Sequence, residues 1–156
     1  LSRLTINDVI NDLSKYKFIT EDQVKFHEVD SFGVVHNIQY FYYLEWARTK
    51  YFEKIGMKLN RKTYTFENPI MTVHHEMDYF NPLYFTDKYE ILTRVKSIKK
   101  SSFIMENILR NSEGTISVKA SVTLVYLDSE NRLPTQIPDE YRKSISEFEG
   151  ENLIIL

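Results

Sequence analysis

The sequence predicts an α+β fold in which one long helix packs on an antiparallel sheet of about five strands. Three observations carry that expectation. Residues 38 to 55 contain neither Pro nor Gly and are followed by Gly56, so they read as a single helix that stops there. Residues 115 to 127 alternate, with Ile116, Val118, Ala120, Val122, Leu124 and Tyr126 on one face, the period of a half-buried strand. The strand-like segments of the second half are joined by short polar turns, and short connections imply antiparallel neighbours.

Each element follows in chain order. Residues 5 to 16 read as a short amphipathic helix, with Ile6, Val9, Ile10 and Leu13 at helical spacing. QVKFHEV, residues 23 to 29, reads as a strand ending at Asp30, and residues 30 to 37 as a turn. In the long helix, Ile38, Phe41, Leu44, Ala47, Tyr51, Phe52 and Ile55 make one face. Tyr40, Tyr42, Tyr43 and Trp46 leave few polar positions elsewhere, which predicts a helix buried nearly all round. Glu45 and Arg48 stand at i, i+3 and read as an ion pair on its edge or as pocket-lining residues. Residues 70 to 80 read as a strand, NPLYFTD as a bend and residues 88 to 98 as another strand. Lys99-Lys100-Ser101-Ser102 reads as a hairpin connection, residues 103 to 110 as a strand and Asn111 to Gly114 as a turn. The tail from Pro138 to Leu156 reads as a short helix followed by a loose end. No repeat, low-complexity stretch or linker interrupts the 156 residues, so one domain is expected.

Composition narrows the function. A hydrophobic fraction of 42% and a charged fraction of 27% suit a soluble globular protein. The net charge of −2 supplies no global attraction to nucleic acid or to an anionic membrane, and neither is expected as a partner. No cysteine is present, which removes disulfides, thiolate metal sites and cysteine nucleophiles and fits a reducing, cytoplasmic setting. LSRLTINDVINDLSKYK has no apolar core of a signal peptide, and no apolar run is long enough to span a bilayer. With only four glycines there is no GxGxxG and no GxxxxGK[ST] loop. His74 and His75 are strand neighbours that point to opposite faces, and HExxH is absent, so no metal site is expected. GxSxG is absent too. A hydrolase built from this chain would rest on a carboxylate and water.

The stretch VDSFGVVHNIQYFYYLEWAR, residues 29 to 48, offers such a carboxylate. Asp30 precedes a sharp turn at Gly33, and His36 and Asn37 lead into the long helix. The first N–H groups of a helix lack internal partners and lie at its positive end, where a carbonyl oxygen would be polarised. Asp30 beside that end would activate water or attack the carbonyl itself. An aspartate followed by serine near a helix start is also an ordinary turn or capping residue. His36 would orient water or substrate, or bond a neighbouring strand. Lys99 and Lys100, next to the hydroxyls of Ser101 and Ser102, are solvated hairpin residues or a seat for phosphate.

DSFGVVHNIQYFYYLEWART resembles the signature of the 4-hydroxybenzoyl-CoA thioesterase family of hotdog-fold enzymes, at Asp30, Gly33, Val35, His36, Asn37, Tyr40, Glu45, Ala47 and Arg48. MDYFNPLYFTDKYEI and DSENRLPTQIPDEYR resemble later parts of the same family, so the likeness runs over about residues 20 to 143 and leaves residues 1 to 19 as an N-terminal helical extension. The resemblance implies a hotdog fold and hydrolysis of an acyl-CoA. Asp30 falls on the catalytic carboxylate, Asn37 falls where a backbone N–H meets the thioester carbonyl, and Gly33, Val35 and Tyr40 fall at the substrate. Relatives that carry a supporting histidine have it at the position of Asn37; here it is one residue earlier, at His36. No metal or redox cofactor is implied, coenzyme A being part of the substrate, and a homodimer or homotetramer is. A non-catalytic acyl-CoA-binding module and an acyl-carrier-protein thioesterase on the same fold are the alternatives.

Overall fold

The computed structural model describes residues 4–57, 61 and 69–156. In chain order these give helix α1 (Ile6–Asp12), strand β1 (Phe18–Gln23), helix α2 (Gln39–Lys54), strands β2 (Ile70–Tyr79), β3 (Lys88–Ile98), β4 (Ser102–Asn111) and β5 (Ile116–Tyr126), helix α3 (Asp139–Glu149) and strand β6 (Ile154–Ile155). The strands lie in the order β1-β3-β4-β5-β2, and β6 pairs with β3. β1 runs antiparallel to β3, from Phe18 opposite Thr93 to Gln23 opposite Lys88, whereas β6 is parallel to β3.

The chain divides into two compact units. The first holds the residues up to Arg48 with Met77–Thr93 and Asn107–Ala120, and the second holds Thr49–Glu76, Arg94–Glu106 and Ser121–Leu156. In the first unit, Tyr40, Tyr43, Leu44 and Ala47 of α2 form a core with Ile91, Leu109, Val118 and Ala120 of the sheet. Tyr43 stacks on Tyr89 with ring centroids 4.7 Å apart. Leu92 and Ile108, neighbours of Ile91 and Leu109 in sequence, face the other way. Val9 and Tyr16 cover them. The α1 segment stays there because Thr5 caps it: its Oγ1 accepts the Asp8 N–H and its own N–H donates to Asp8 Oδ2. Tyr16 also meets the buried Lys119 ammonium on β5.

In the second unit, α2 ends at Gly56, whose φ of +87° suits a residue without a side chain, and Met57 N–H closes back on Phe52 C=O. Phe52 packs edge-on against Phe103, and Tyr51 against Phe148. Glu149, fully buried at the end of α3, accepts from the Tyr51 hydroxyl at 2.5 Å and from the Val95 N–H at 2.8 Å. Two positions further along β3, Ser97 and Ile98 pair with Ile154 and Ile155. On the same strand Arg94 and Lys96 converge on Glu106 at 2.6 and 3.0 Å.

Four expectations are corrected. Residues 23 to 29 do not form a strand: β1 ends at Gln23, and Phe26–Glu28 is a 3-10 turn held by Glu28 Oε2, which accepts the Lys25 N–H at 2.7 Å. Asp30 therefore follows a turn, not a strand. The extension expected over residues 1 to 19 is helical only from Ile6 to Lys15, and the chain is in β1 from Phe18; residues 1 to 3 lie outside the described residues. The tail is not loose, because β6 supplies backbone partners to β3 and Leu156 N–H donates to Ile98 C=O. Finally, α2 is not buried all round within one chain: Phe41, Tyr42 and Trp46 are exposed.

Candidate active site

The chain ahead of α2 folds back on itself. Val29 pairs with Val35 as an antiparallel bridge, the Asp30 N–H donates to Val34 C=O at 2.9 Å, and the Gly33 N–H donates to Asp30 C=O at 3.0 Å. Gly33 takes φ +76°, a left-handed turn that a side chain would strain. The loop is tied to the 80–87 bend as well. Val35 N–H donates to Leu83 C=O, Phe85 N–H donates to Gly33 C=O, and Val34 bridges Tyr84.

This backbone aims the Asp30 carboxylate. Its Oδ1 accepts the Phe32 N–H at 2.8 Å and the Val34 N–H at 3.3 Å. Its Oδ2 has no hydrogen-bond partner among the described residues. One oxygen does the turn chemistry that the sequence also suggested, and the other is left for a ligand. Asp30 does not cap α2.

At the helix start, Gln39 N–H donates to His36 C=O and Phe41 N–H to Ile38 C=O. The N–H groups of Asn37 and Ile38 have no acceptor among the described residues. They form the positive end of α2. Both side chains are exposed, and the Asn37 carbonyl accepts from the Tyr79 hydroxyl at 3.2 Å. His36 is exposed, its N–H donates to Glu28 C=O at 3.0 Å, and its imidazole makes no hydrogen bond among the described residues.

Val34, Val35, Asn37, Tyr40, Tyr79 and Phe80 line a pocket of about 250 Å³. The Tyr40 hydroxyl accepts the Leu83 N–H, and its ring meets Tyr79 edge-on at 5.6 Å. Burial pushes both phenols up, so they stay neutral at physiological pH. Asp30, Gly33, Val35, His36, Asn37 and Tyr40, all singled out from sequence, thus belong to one unit. Sequence reasoning missed Tyr79 and Phe80, which reach the pocket from the end of β2, and the buried Glu28, which fell within the strand expected at 23 to 29.

Lys99, Lys100, Ser101 and Ser102 belong to the second unit. Lys99 N–H donates to Ser102 C=O at 2.7 Å and closes the hairpin, Tyr126 N–H donates to Ser101 C=O, and Ile137 N–H donates to Lys100 C=O. Both lysines are exposed. Arg142, unremarked in the sequence, donates from Nη1 to Lys99 C=O at 2.6 Å, so a third cation joins the pair. Glu45 is exposed and Arg48 buried on α2. Among the described residues, no three His, Cys, Asp or Glu side chains are grouped to hold a metal, and no helix is long and apolar enough to cross a membrane.

Several proteins of similar sequence and structure are named thioesterases. Residues 24–145 match the family model described as the thioesterase-like superfamily. The acyl-CoA thioester hydrolase YbgC of Escherichia coli O6:H1 is 26% identical over 81% of this chain and 91% of its own length. The chloroplastic acyl-acyl carrier protein thioesterase ATL2 of Arabidopsis thaliana is 28% identical over 86% of this chain and 71% of its own. A thioesterase of Thermus thermophilus, solved with coenzyme A and zinc, superposes with a TM-score of 0.77 at 25% identity, covering 88% of this chain and 97% of that one. With the observed sheet order and long helix, these likenesses establish a hotdog fold and place the chain in the thioesterase-like superfamily, whose named relatives are thioester hydrolases.

Proposed function

We propose that this protein hydrolyses an acyl-CoA thioester to the free acid and coenzyme A, with Asp30 as general base or nucleophile and the start of α2 as the oxyanion hole. The observation that carries the reading is the pairing of an unused Asp30 Oδ2 with unused N–H groups at Asn37 and Ile38. A thioester oxygen held by those N–H groups becomes more negative as the carbonyl carbon turns tetrahedral, and the helix end stabilises that charge. As a base, Asp30 takes a proton from water while the water oxygen bonds to the carbonyl carbon. The C–S bond then breaks, and the proton leaves with the thiol. As a nucleophile, Asp30 first forms a mixed anhydride and releases the thiol, and water cleaves the anhydride. A single turnover in ¹⁸O-water in which Asp30 itself becomes labelled establishes the second route, with water attacking the Asp30 carbonyl of the anhydride.

The D-x-x-G-x-V-H-N run supports the 4-hydroxybenzoyl-CoA thioesterase branch of the superfamily. Gly33, Val35 and Tyr40 then shape the substrate seat and His36 serves from its exposed position beside the helix start; in the other unit, Lys99, Lys100, Ser101 and Ser102, with Arg142, are a seat for phosphate. The chemistry needs no metal or redox cofactor. The lack of cysteine supports a cytoplasmic setting, the family match over residues 24–145 supports a single hotdog domain, and the exposed apolar residues of α2 support a homodimer or homotetramer.

The test is thiol release from acetyl-, octanoyl-, palmitoyl- and benzoyl-CoA by wild type and Asp30→Asn. Cleavage of one class by wild type, lost in the variant, supports the reading. Binding of acyl-CoA without cleavage by either protein points to a binding module. The likeness to ATL2 favours one second reading, hydrolysis of acyl groups on a carrier protein, and a higher kcat/KM on acyl-carrier protein than on the matching acyl-CoA would establish it.

A further inference from the structure

Glu28 is a carboxylate that the proposed chemistry does not use, yet it is only 4% exposed. A buried carboxylate is costly unless its oxygens are satisfied, and here they are satisfied by the two arms that flank the site. Oε2 accepts the Tyr43 hydroxyl at 2.6 Å and the Lys25 N–H at 2.7 Å, and Oε1 accepts the Gln39 amide at 3.4 Å. Lys25 Nζ and His27 Nε2 each stand 3.9 Å from Oε1. Gln39 and Tyr43 are on the first turns of α2, whereas Lys25 and Glu28 are on the 3-10 turn that leads to Asp30. The backbone repeats the link, because Glu28 C=O accepts the His36 N–H at 3.0 Å. From there the pairing continues through Val29 with Val35 to the Asp30 N–H on Val34. Burial, and then the bond to Glu28, push the Tyr43 phenol up, so it remains a donor.

We infer that Glu28 is a positioning residue that clamps the Asp30 arm to the first turns of α2 and so sets the carboxylate against the helix N–H groups. The inference rests on the proposed role of Asp30. A clamp of this kind acts on the approach of base to carbonyl, so its loss lowers kcat more than it raises KM; a misplacement of about 1 Å costs on the order of 100-fold in rate.

The experiment compares wild type, Glu28→Gln, Tyr43→Phe, the double variant and Asp30→Asn on benzoyl-CoA and octanoyl-CoA, with hydrogen exchange of the Phe32 and His36 amides. Both single variants are expected to lose about 10- to 100-fold in kcat with KM within about 3-fold. The double variant should be no slower than the slower single one, since both residues belong to one clamp. The acid limb of the kcat profile should stay in place, and the two loop amides should exchange at least about 10-fold faster. Wild-type kcat in Glu28→Gln, or unchanged loop protection, overturns the clamp while leaving Asp30 in its role if Asp30→Asn is inactive. A displaced acid limb overturns it too, by making Glu28 a titrating participant. If Asp30→Asn keeps the wild-type rate, the reading of the site fails and the clamp falls with it.

Discussion

One Asp30 oxygen is used in the turn and the other is the one the proposed reaction needs, and that division makes its substitutions informative. In Asp30→Asn the side-chain oxygen can still accept from Phe32 and Val34 N–H, so the loop should keep its shape. The expected outcome is a fall in kcat of about 100-fold or more with little change in Tm, read by thiol release and thermal melting. Asp30→Ala removes the acceptor as well. It should add a loss of about 1 kcal/mol in urea unfolding, because the exposed Phe32 N–H and the half-buried Val34 N–H lose their partner. Gly33→Ala probes the turn alone. Among the described residues nothing lies within 4 Å of the added methyl, but φ +76° is strained for any L-residue, so about 1–2 kcal/mol of stability should go without a clash. Wild-type stability in Gly33→Ala would mean that the loop can relax to another turn. The order of these residues was legible in the sequence because a carboxylate, a glycine and a helix start are each local signals. Glu28 was not. Its contacts come from a 3-10 turn and from Tyr43, 15 positions away, which periodicity does not report.

Elements were readable to the extent that their neighbours imposed a simple period. β3 matches the expected 88 to 98, and all six residues predicted for the inner face of β5 are buried. Between them on β5, however, Ser117 and Lys119 are buried too, because Tyr16 and its segment cover the opposite side, a contact that alternation alone does not announce. The strand expected at 23 to 29 lies five residues earlier, at Phe18, where β3 offers pairing partners. β6 has only two residues, too few for a pattern. Glu149, in the segment read as a short tail helix, anchors the second unit through Tyr51 and Val95. Burial, then the charge of Glu149, pushes the Tyr51 phenol up; burial does the same to Tyr43 and Tyr89. In the unfolded chain these phenols ionise near pH 10. Their folded values are higher, so the stability they lend is complete below about pH 10 and is lost as the pH rises beyond it. Urea midpoints should therefore fall from pH 9 to pH 11. Tyr51→Phe should be less stable than wild type at pH 8, through the lost bond to Glu149, yet decline less steeply with pH. Parallel declines would exclude Tyr51 from the alkaline transition.

At the scale of the whole molecule, the surplus apolar surface of one chain is the ground for expecting a second copy. The long helix looked buried on nearly every side, yet Ile38, Tyr42 and Trp46 are each more than half exposed. In sequence they recur at helical spacing, so they share one stripe. Separately, β2 closes the sheet order as an edge strand, and its Met71 and Val73 are 55% and 56% exposed. The first residues of β2, Ile70 to Val73, carry no charge, whereas Glu76 and Asp78 follow; an uncharged edge segment is an association site. A net charge of −2 and a pI near 6.1 offer little repulsion between copies. The expected partner of both surfaces is the same chain. Light scattering should give twice or four times the 18.6 kDa chain mass. Val73→Lys, which places an ammonium on the edge strand, and Tyr42→Glu, which charges the helix stripe, should each shift the protein toward the monomer. Because neither side chain lines the pocket of Asn37 and Tyr40, activity measured on the dissociated species then shows whether one chain holds a complete site. A Val73→Lys protein that keeps the wild-type mass would remove β2 from the interface and leave the helix stripe as the surface through which copies meet.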